Sequence, residues 1–224
     1  MKCKTVIMTA VGLGLMMANN TYAERAGAST DLRLDGVYVS PKKDGWDNGI
    51  GGELKYIYWA NPNLGLALAG GAQQWKVSKD VHTELLDSST AVAVAYDGNA
   101  MFYPVGVSVL CDLPLNNTIS LSLEGGLRYV IASSDVKVAA AVGQINNTGA
   151  VGVSAGESNM TFDNGVIAKA AIDLNLKVNE ETTVSIGAGY DFDISKGDWH
   201  DGFGDSGTYS LEAFFARVGI SIRI

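Results

Sequence analysis

Residues 119 to 131 run ISLSLEGGLRYVI. Ile119, Leu121, Leu123, Leu127, Tyr129 and Ile131 alternate with Ser120, Ser122, Glu124, Gly126 and Arg128. A period of two puts the apolar set on one face of a β-strand and the polar set on the other. Two solvents are compatible with this pattern. In a soluble sandwich the apolar face is the core and the charges meet water. In an outer-membrane barrel the apolar face meets lipid and the charges are enclosed.

Working outward, the composition favours strands. The chain has 224 residues, with 27 Gly and only 4 Pro, and its charged fraction of 18% is low for a soluble surface. The formal charge of −8 argues against a nucleic-acid partner. Residues 1–23 read as a signal peptide: Lys2 and Lys4, then the apolar run VIMTAVGLGLMM (6 to 17), then Thr21-Tyr22-Ala23 before the cut. Cleavage leaves a mature domain over 24–224 with formal charge −10 and one cysteine, Cys111, so no internal disulfide is expected. No later segment has 18 uninterrupted apolar residues, so any membrane crossing must be made by strands.

Alternation predicts eight strands: 32–40, 50–60, 64–76, 100–110, 119–131, 165–178, 182–194 and 209–224. Most run nine residues or more, and a tilted strand needs about 9 to 11 to cross a bilayer. The connections alternate in length. Asn61-Pro62-Asn63, Asn179-Glu180-Glu181 and CDLPLNN (111 to 117) carry turn chemistry, while 41–49, 77–99, 132–164 and 195–208 are longer. One end of an up-and-down barrel therefore collects three short turns and both termini, and the other end four long loops.

Sorting the strands by face gives the same contrast throughout. Leu32, Leu34 and Tyr38, Leu54, Tyr56 and Tyr58, Val105, Val107 and Val109, and Val218, Ile220 and Ile222 share apolar faces. The opposite faces carry Arg33, Asp35, Glu53, Lys55, Glu124, Arg128, Lys169, Asp173, Lys177, Asp191, Asp193, Arg217 and Arg223, seven cations against six anions. A solvated face has no need to balance its charge locally. An enclosed one does, because a buried charge stripped of its partner costs about 3 to 5 kcal/mol. The expected interior is a plug of charges and water, since eight strands leave room only for side chains. Within strands, Gly51-Gly52, Gly70-Gly71, Gly125-Gly126 and Gly187/Gly189 either make space for long side chains, mark bulges, or add flexibility; Pro104 is expected at a bulge. Tyr38, Trp75, Phe102, Tyr103, Tyr129, Tyr190, Phe192 and Tyr209 fall toward the outer rim, and Tyr56, Tyr58 and Trp59 toward the inner one, as two interfacial belts.

On these strands, faces and connections the chain resembles the small eight-stranded outer-membrane β-barrel proteins, the OmpX-like and OmpA-like barrels. The resemblance covers residues 31–224 and rests on architecture rather than a motif. It implies an all-β, antiparallel up-and-down transmembrane barrel in the outer membrane of a Gram-negative-type bacterium, with short periplasmic turns and longer extracellular loops. It also implies partners: outer-membrane lipids, and the barrel-assembly machinery and periplasmic chaperones during biogenesis. One departure stands out. The family typically ends in Phe or Trp, whereas this chain ends in Ile224, which implies a lineage variant or less efficient assembly.

Candidate chemistry concentrates at the long-loop rim. KKDGWDNG (42 to 49) and KGDWHDGFGDSG (196 to 207) share an order of Lys, Asp, Gly, Trp and Asp, and strands one and eight are neighbours in a closed barrel. Asp44, Trp46, Asp47, Asp198, Trp199, Asp201 and Asp205, with Phe203, make a candidate aromatic-acidic surface for an extracellular ligand. The spacing matches no complete calcium loop, so no metal or cofactor is assigned. His82 has Ser78 and Glu84 nearby, and His200 has Asp201 and Ser206, but neither forms a known hydrolase signature and no catalytic residue is assigned. Residues 134–160 read either as a projecting hairpin whose edge could add a partner's strand or as a polar surface loop. KDVHTELLDSS (79 to 89) has the composition of a short helix. The expected function is structural or surface-interacting, as in adhesion or host contact. A lipid-modifying enzyme, a narrow pore and a soluble ligand-binding barrel are the alternatives.

Overall fold

A computed structural model describes residues 29–42, 46–77, 82–87, 90–145, 151–204 and 206–224. The expected leader, 1–23, lies outside them. Twelve strands follow in order: β1 (Ser29–Pro41), β2 (Trp46–Asn61), β3 (Leu64–Val77), β4 (His82–Asp87), β5 (Thr90–Pro114), β6 (Ile119–Ile145), β7 (Val151–Phe162), β8 (Gly165–Lys177), β9 (Thr182–Ser195), β10 (Gly197–His200), β11 (Ser206–Tyr209) and β12 (Ala213–Arg223).

Eight of them close a ring in the order β1, β2, β3, β5, β6, β8, β9, β12, every neighbouring pair antiparallel. The seam between the first and last strands is zipped from Asp31↔Arg223 to Pro41↔Ala213. Closure removes the unpaired edges that would otherwise have to be satisfied in lipid. The alternation read from sequence sets the two faces. Leu34, Leu68, Val107, Leu127, Ile186 and Val218 stand exposed on the outside, while Arg33, Lys55, Glu124, Arg128, Asp173 and Arg217 are buried within. Exposed apolar side chains all round the wall, over a buried charged bore, are the arrangement of a membrane-spanning barrel.

The three short connections share one device. Asn61 Oδ1 accepts the amides of Asn63 and Leu64, Asn116 Oδ1 those of Thr118 and Ile119, and Asn179 Oδ1 those of Glu181 and Thr182, all at 2.7–2.9 Å. An Asn side chain that mimics a backbone turn lets each strand reverse within three residues.

Several expectations are corrected. β5 and β6 do not stop at 110 and 131 but run for 25 and 27 residues, paired without a register shift from Pro114↔Ser120 to Thr90↔Gln144. At about 3.3 Å per residue, β6 spans roughly 90 Å of strand, more than twice a bilayer crossing of about 9 to 11 residues. β7 folds back on β6, so residues 134–160 include a projecting hairpin. The expected helix near 79–89 is a strand where it is described: β4 pairs with β5, His82↔Val94 to Asp87↔Thr90. Its Glu-Leu-Leu segment has helical propensity, but the edge of β5 offers backbone partners and wins. Pro104 needs no bulge. The β5–β6 register runs through it, and the β3–β5 ladder, unshifted, has no pairs at Gly71 and Ala72 opposite Tyr103 and Pro104. The last predicted strand is two: β12 begins at Ala213, and Tyr209 belongs to β11.

Candidate functional site: the filled bore and the extracellular sheet

The bore is layered. Its middle layer is ionic, with Arg33, Lys55, Arg128, Lys169 and Arg217 beside Asp35, Glu53, Glu124, Asp173 and Asp191, five cations and five anions. Glu124 receives Lys55 at 2.7 Å, Arg217 at 2.7 Å and Arg128 at 3.0 Å, and accepts a hydrogen bond from Ser108 Oγ at 2.8 Å. Asp173 receives Arg217 at 2.6 Å and Arg33 at 3.2 Å. Lys55 also reaches Glu53 at 3.0 Å and Asp35 at 3.3 Å. The Lys169–Glu53 pair, at 3.1 Å, joins β8 to β2, strands diametrically opposite in the ring. Lys55–Glu124, Arg217–Glu124, Arg33–Asp173 and Lys169–Glu53 cross the bore, while Lys55–Glu53 and Arg128–Glu124 run along a single strand. Asp191 is 3% exposed, and its Oδ1, like Asp35 Oδ2 and Glu53 Oε1, has no hydrogen-bond partner among the described residues. Its cross-strand neighbour Lys169 turns instead to Glu53 and to the face of Phe215, 4.2 Å from the ring centroid. Two glycines make room for the acids: a Cβ at Gly187 would collide with the Asp173 carboxylate, and one at Gly219 with that of Asp35.

Above the charges, toward the long loops, the bore turns apolar. Val37, Val39, Trp75, Phe102, Phe162, Tyr209, Leu211 and Phe215 are buried in one cluster. Trp75 and Phe102 meet edge-on at 4.8 Å between ring centroids, and Trp46 contacts Trp75, Phe102 and Phe162 at 5.7, 5.8 and 5.4 Å. Tyr209 stacks on Phe102 at 6.1 Å, and its hydroxyl donates to the Asp163 carbonyl. Burial, and then the carboxylates of Asp163, Asp193 and Asp198, push the Tyr209 phenol above its ordinary pKa. Trp75, Phe102 and Tyr209, which the sequence assigns to the lipid belt, are inside instead. Tyr38, Tyr103, Tyr129 and Phe192 do face outward, and Phe214 joins them. At the opposite end Trp59, likewise assigned to a belt, is buried and donates to Asp31 Oδ2 at 2.7 Å. Beside it Asp112 accepts from Ser122 at 2.5 Å, Ser120 at 2.9 Å and Asn175 at 3.2 Å.

The remaining sequence candidates are dispersed. Lys177 is exposed beyond the bore. Asp193 accepts from Ser210 Oγ and the Leu211 amide at the loop end. Arg223 lies 3.9 Å from Asp31 at the turn end. Asp44 and Asp205 lie outside the described residues. Trp46 and Trp199 are half-buried and both packed on the apolar cluster. Asp47 and Asp198 are exposed, and Asp201 caps its own turn through the Phe203 amide at 3.0 Å. Among the described residues no cluster of His, Cys, Asp and Glu could hold a metal.

The last long loop docks on the third, and its return to β12 also meets the first. β10 pairs with β7 at Trp199↔Phe162 and His200↔Thr161, and Gly202 N donates to Ser158 Oγ at 2.8 Å. His200 Nε2 lies 3.7 Å from Asp163 Oδ2, both well exposed, with Ser206 opposite in the hairpin. The first loop meets that return through Lys42, whose amide donates to the Glu212 carbonyl at 3.0 Å and whose Nζ lies 3.2 Å from Glu212 Oε2; the bond to Glu212 raises the Lys42 pKa.

No family model matches the chain, and no curated protein does. Solved structures do match. The outer membrane protein OprG from Pseudomonas aeruginosa superimposes with a TM-score of 0.59 at 12% identity, covering 88% of this chain and 97% of that one. A major outer membrane protein from Thermus thermophilus gives 0.50 at 11% identity, covering 88% and 99%. Such low identity speaks for fold alone. With its lipid-type outer wall and its ion-paired bore, the chain has the fold of the small eight-stranded outer-membrane β-barrel proteins.

Proposed function

We propose that the protein is a non-enzymatic surface-contact barrel: it carries a sheet well above the outer membrane and passes no solute through its bore. The observation that carries this reading is the unbroken β5–β6 ladder, whose outer half, with β4 and β7, stands beyond the wall that the other six strands complete. A barrel needing only to span would stop where β1 and β12 stop. The closed bore follows from two successive barriers, ion pairs that join opposite strands and an aromatic layer above them. Ions would have to part those pairs in a low-dielectric interior, which is costly.

Two measurements test it. Planar-bilayer recording on the refolded chain should show no steady conductance; large, stable steps would overturn the closed bore and favour a narrow pore. Cells displaying a variant with residues 90–99 and 134–160 replaced by a tight turn should lose adherence to host-cell layers while keeping the barrel in the membrane. Undiminished adherence would contradict the contact role.

A further inference from the structure

The projecting sheet is bent at one point and held at another. Among the described residues, two glycines have positive φ, Gly98 at 147° and Gly204 at 92°. Gly98 lies in the middle of β5, opposite Val136, and the β5–β6 register passes through it without a shift. Its backbone region is open essentially to glycine alone. A Cβ there would collide with the Asp135 carbonyl oxygen and with Val136 Cα, backbone atoms that cannot turn aside. Past this glycine the inner face of the sheet does not stand free. Val138 and Met160 are buried in the same cluster as Val39, Trp75 and Phe102, and Tyr96 packs against it. The ladder therefore bends at Gly98, and the bend lays the sheet's inner face on the aromatic layer.

The hold on the sheet is light. The β10–β11 hairpin reaches β7 through two ladder pairs, against 25 between β5 and β6. Its tip adds the Gly202 amide on Ser158 Oγ at 2.8 Å and the Phe203 ring over Gly156. Phe203 is itself 49% exposed. Contacts with so little buried apolar surface and such exposed hydrogen bonds are the first to open. Trp199, by contrast, is packed on the cluster and keeps the base of the hairpin in place. We propose that the hairpin tip, residues 200–204, is a latch on the inner face of β7. Engaged, it holds the projecting sheet bent at Gly98 over the barrel mouth. Released, it lets the sheet lift and opens the aromatic layer to water from outside. This deepens the surface-contact reading, on which it rests for the role of the sheet, by giving that sheet two positions.

The test is hydroxyl-radical footprinting of the refolded chain in lipid nanodiscs, with Met160 and Tyr96 reporting on the inner face and buried Trp59, at the turn end, reporting on the barrel. A Cβ at Gly202 would collide with Ser158 Oγ, so Gly202→Leu drives the tip off β7. Met160 and Tyr96 should then be oxidised several-fold faster, with Trp59 unchanged. That Cβ would also lie 3.3 Å from Ser158 Cβ, close to the roughly 3.5–4.5 Å that a disulfide spans. Ser158→Cys with Gly202→Cys should therefore cross-link, protect Met160 and Tyr96 more than in the unaltered chain, and lose that protection on reduction. Gly98→Ala should raise Met160 oxidation even when the latch is cross-linked. Unchanged Met160 and Tyr96 rates in Gly202→Leu, or equal rates in the cross-linked and reduced forms, would overturn the latch. An unchanged rate in Gly98→Ala would overturn the bend. If Gly202→Leu exposes Trp59, the barrel has misfolded and the cross-linked pair decides alone. Oxidation is read without host cells, so the adherence assay of the shortened variant still judges the surface-contact reading separately.

Discussion

Two layers fill the same bore by opposite means. In the middle layer nearly every group is held by charge: Glu124 alone touches three cations and a serine. In the outer layer the contacts are ring on ring, Trp46, Trp75, Phe102, Phe162 and Tyr209 packed edge to face, tilted or stacked. The barrel's inside is therefore not uniformly polar. Where the wall is in lipid, enclosed charges balance one another. Where the loops fold over the mouth, an apolar core forms as in a soluble domain, because covering strands exclude water from above.

Substitution should separate the layers. The largest effect is expected at Glu124. Glu124→Gln leaves Lys55, Arg128 and Arg217 with an uncompensated positive charge, costing about 3 to 5 kcal/mol in urea unfolding from lipid vesicles. Phe102→Ala should cost about 3 kcal/mol by opening a cavity in the aromatic layer, with no change in the salt dependence of unfolding that Glu124→Gln should bring. On the outside, Leu127→Arg places a charge in lipid, and should lower membrane stability by about 2 kcal/mol or more in the same assay. Asp191→Asn should change least, by less than about 1 kcal/mol in either direction, because its cross-strand neighbour Lys169 is paired with Glu53 instead. A loss at Asp191 as large as that at Glu124 would mean the ionic layer acts through net charge rather than through particular pairs.

The sequence exposed the ionic layer and hid the aromatic one, and the physical reason is periodicity. Around Glu124 and Arg128 one face is charged and the other apolar, so alternation assigns both. Near Phe102 both faces are apolar, with Met101 and Tyr103 on the other side, and no pattern says which ring points in; at Trp75 the alternate residues Gln74 and Lys76 are polar and face outward, the reverse of the pattern within the lipid span. The length of β5 and β6 is obscured in a related way. Beyond Ala100 and Ile131 the residues are small, as in AVAVAY and VKVAAAV, and alternation between alanine and valine is too shallow to separate strand from loop. Trp46 and Trp199 match in sequence order, yet order along two loops carries no information about which loops dock. The last loop found backbone partners on β7, a choice made by strand edges and invisible in composition.

Each face of residues 119 to 131 should meet a different environment, lipid on one side and the packed bore on the other. Spin labels placed singly along this stretch in the reconstituted protein read that face by face, through collision with dissolved oxygen and with a water-soluble nickel chelate. Labels at Leu123, Leu127, Tyr129 and Ile131 should be open to oxygen and closed to nickel, while labels at Ser122, Glu124 and Arg128 should be closed to both. Nickel access at 122, 124 and 128 would reveal a continuous wet channel, and nickel access at 123, 127 and 129 would show that the apolar face does not lie in lipid.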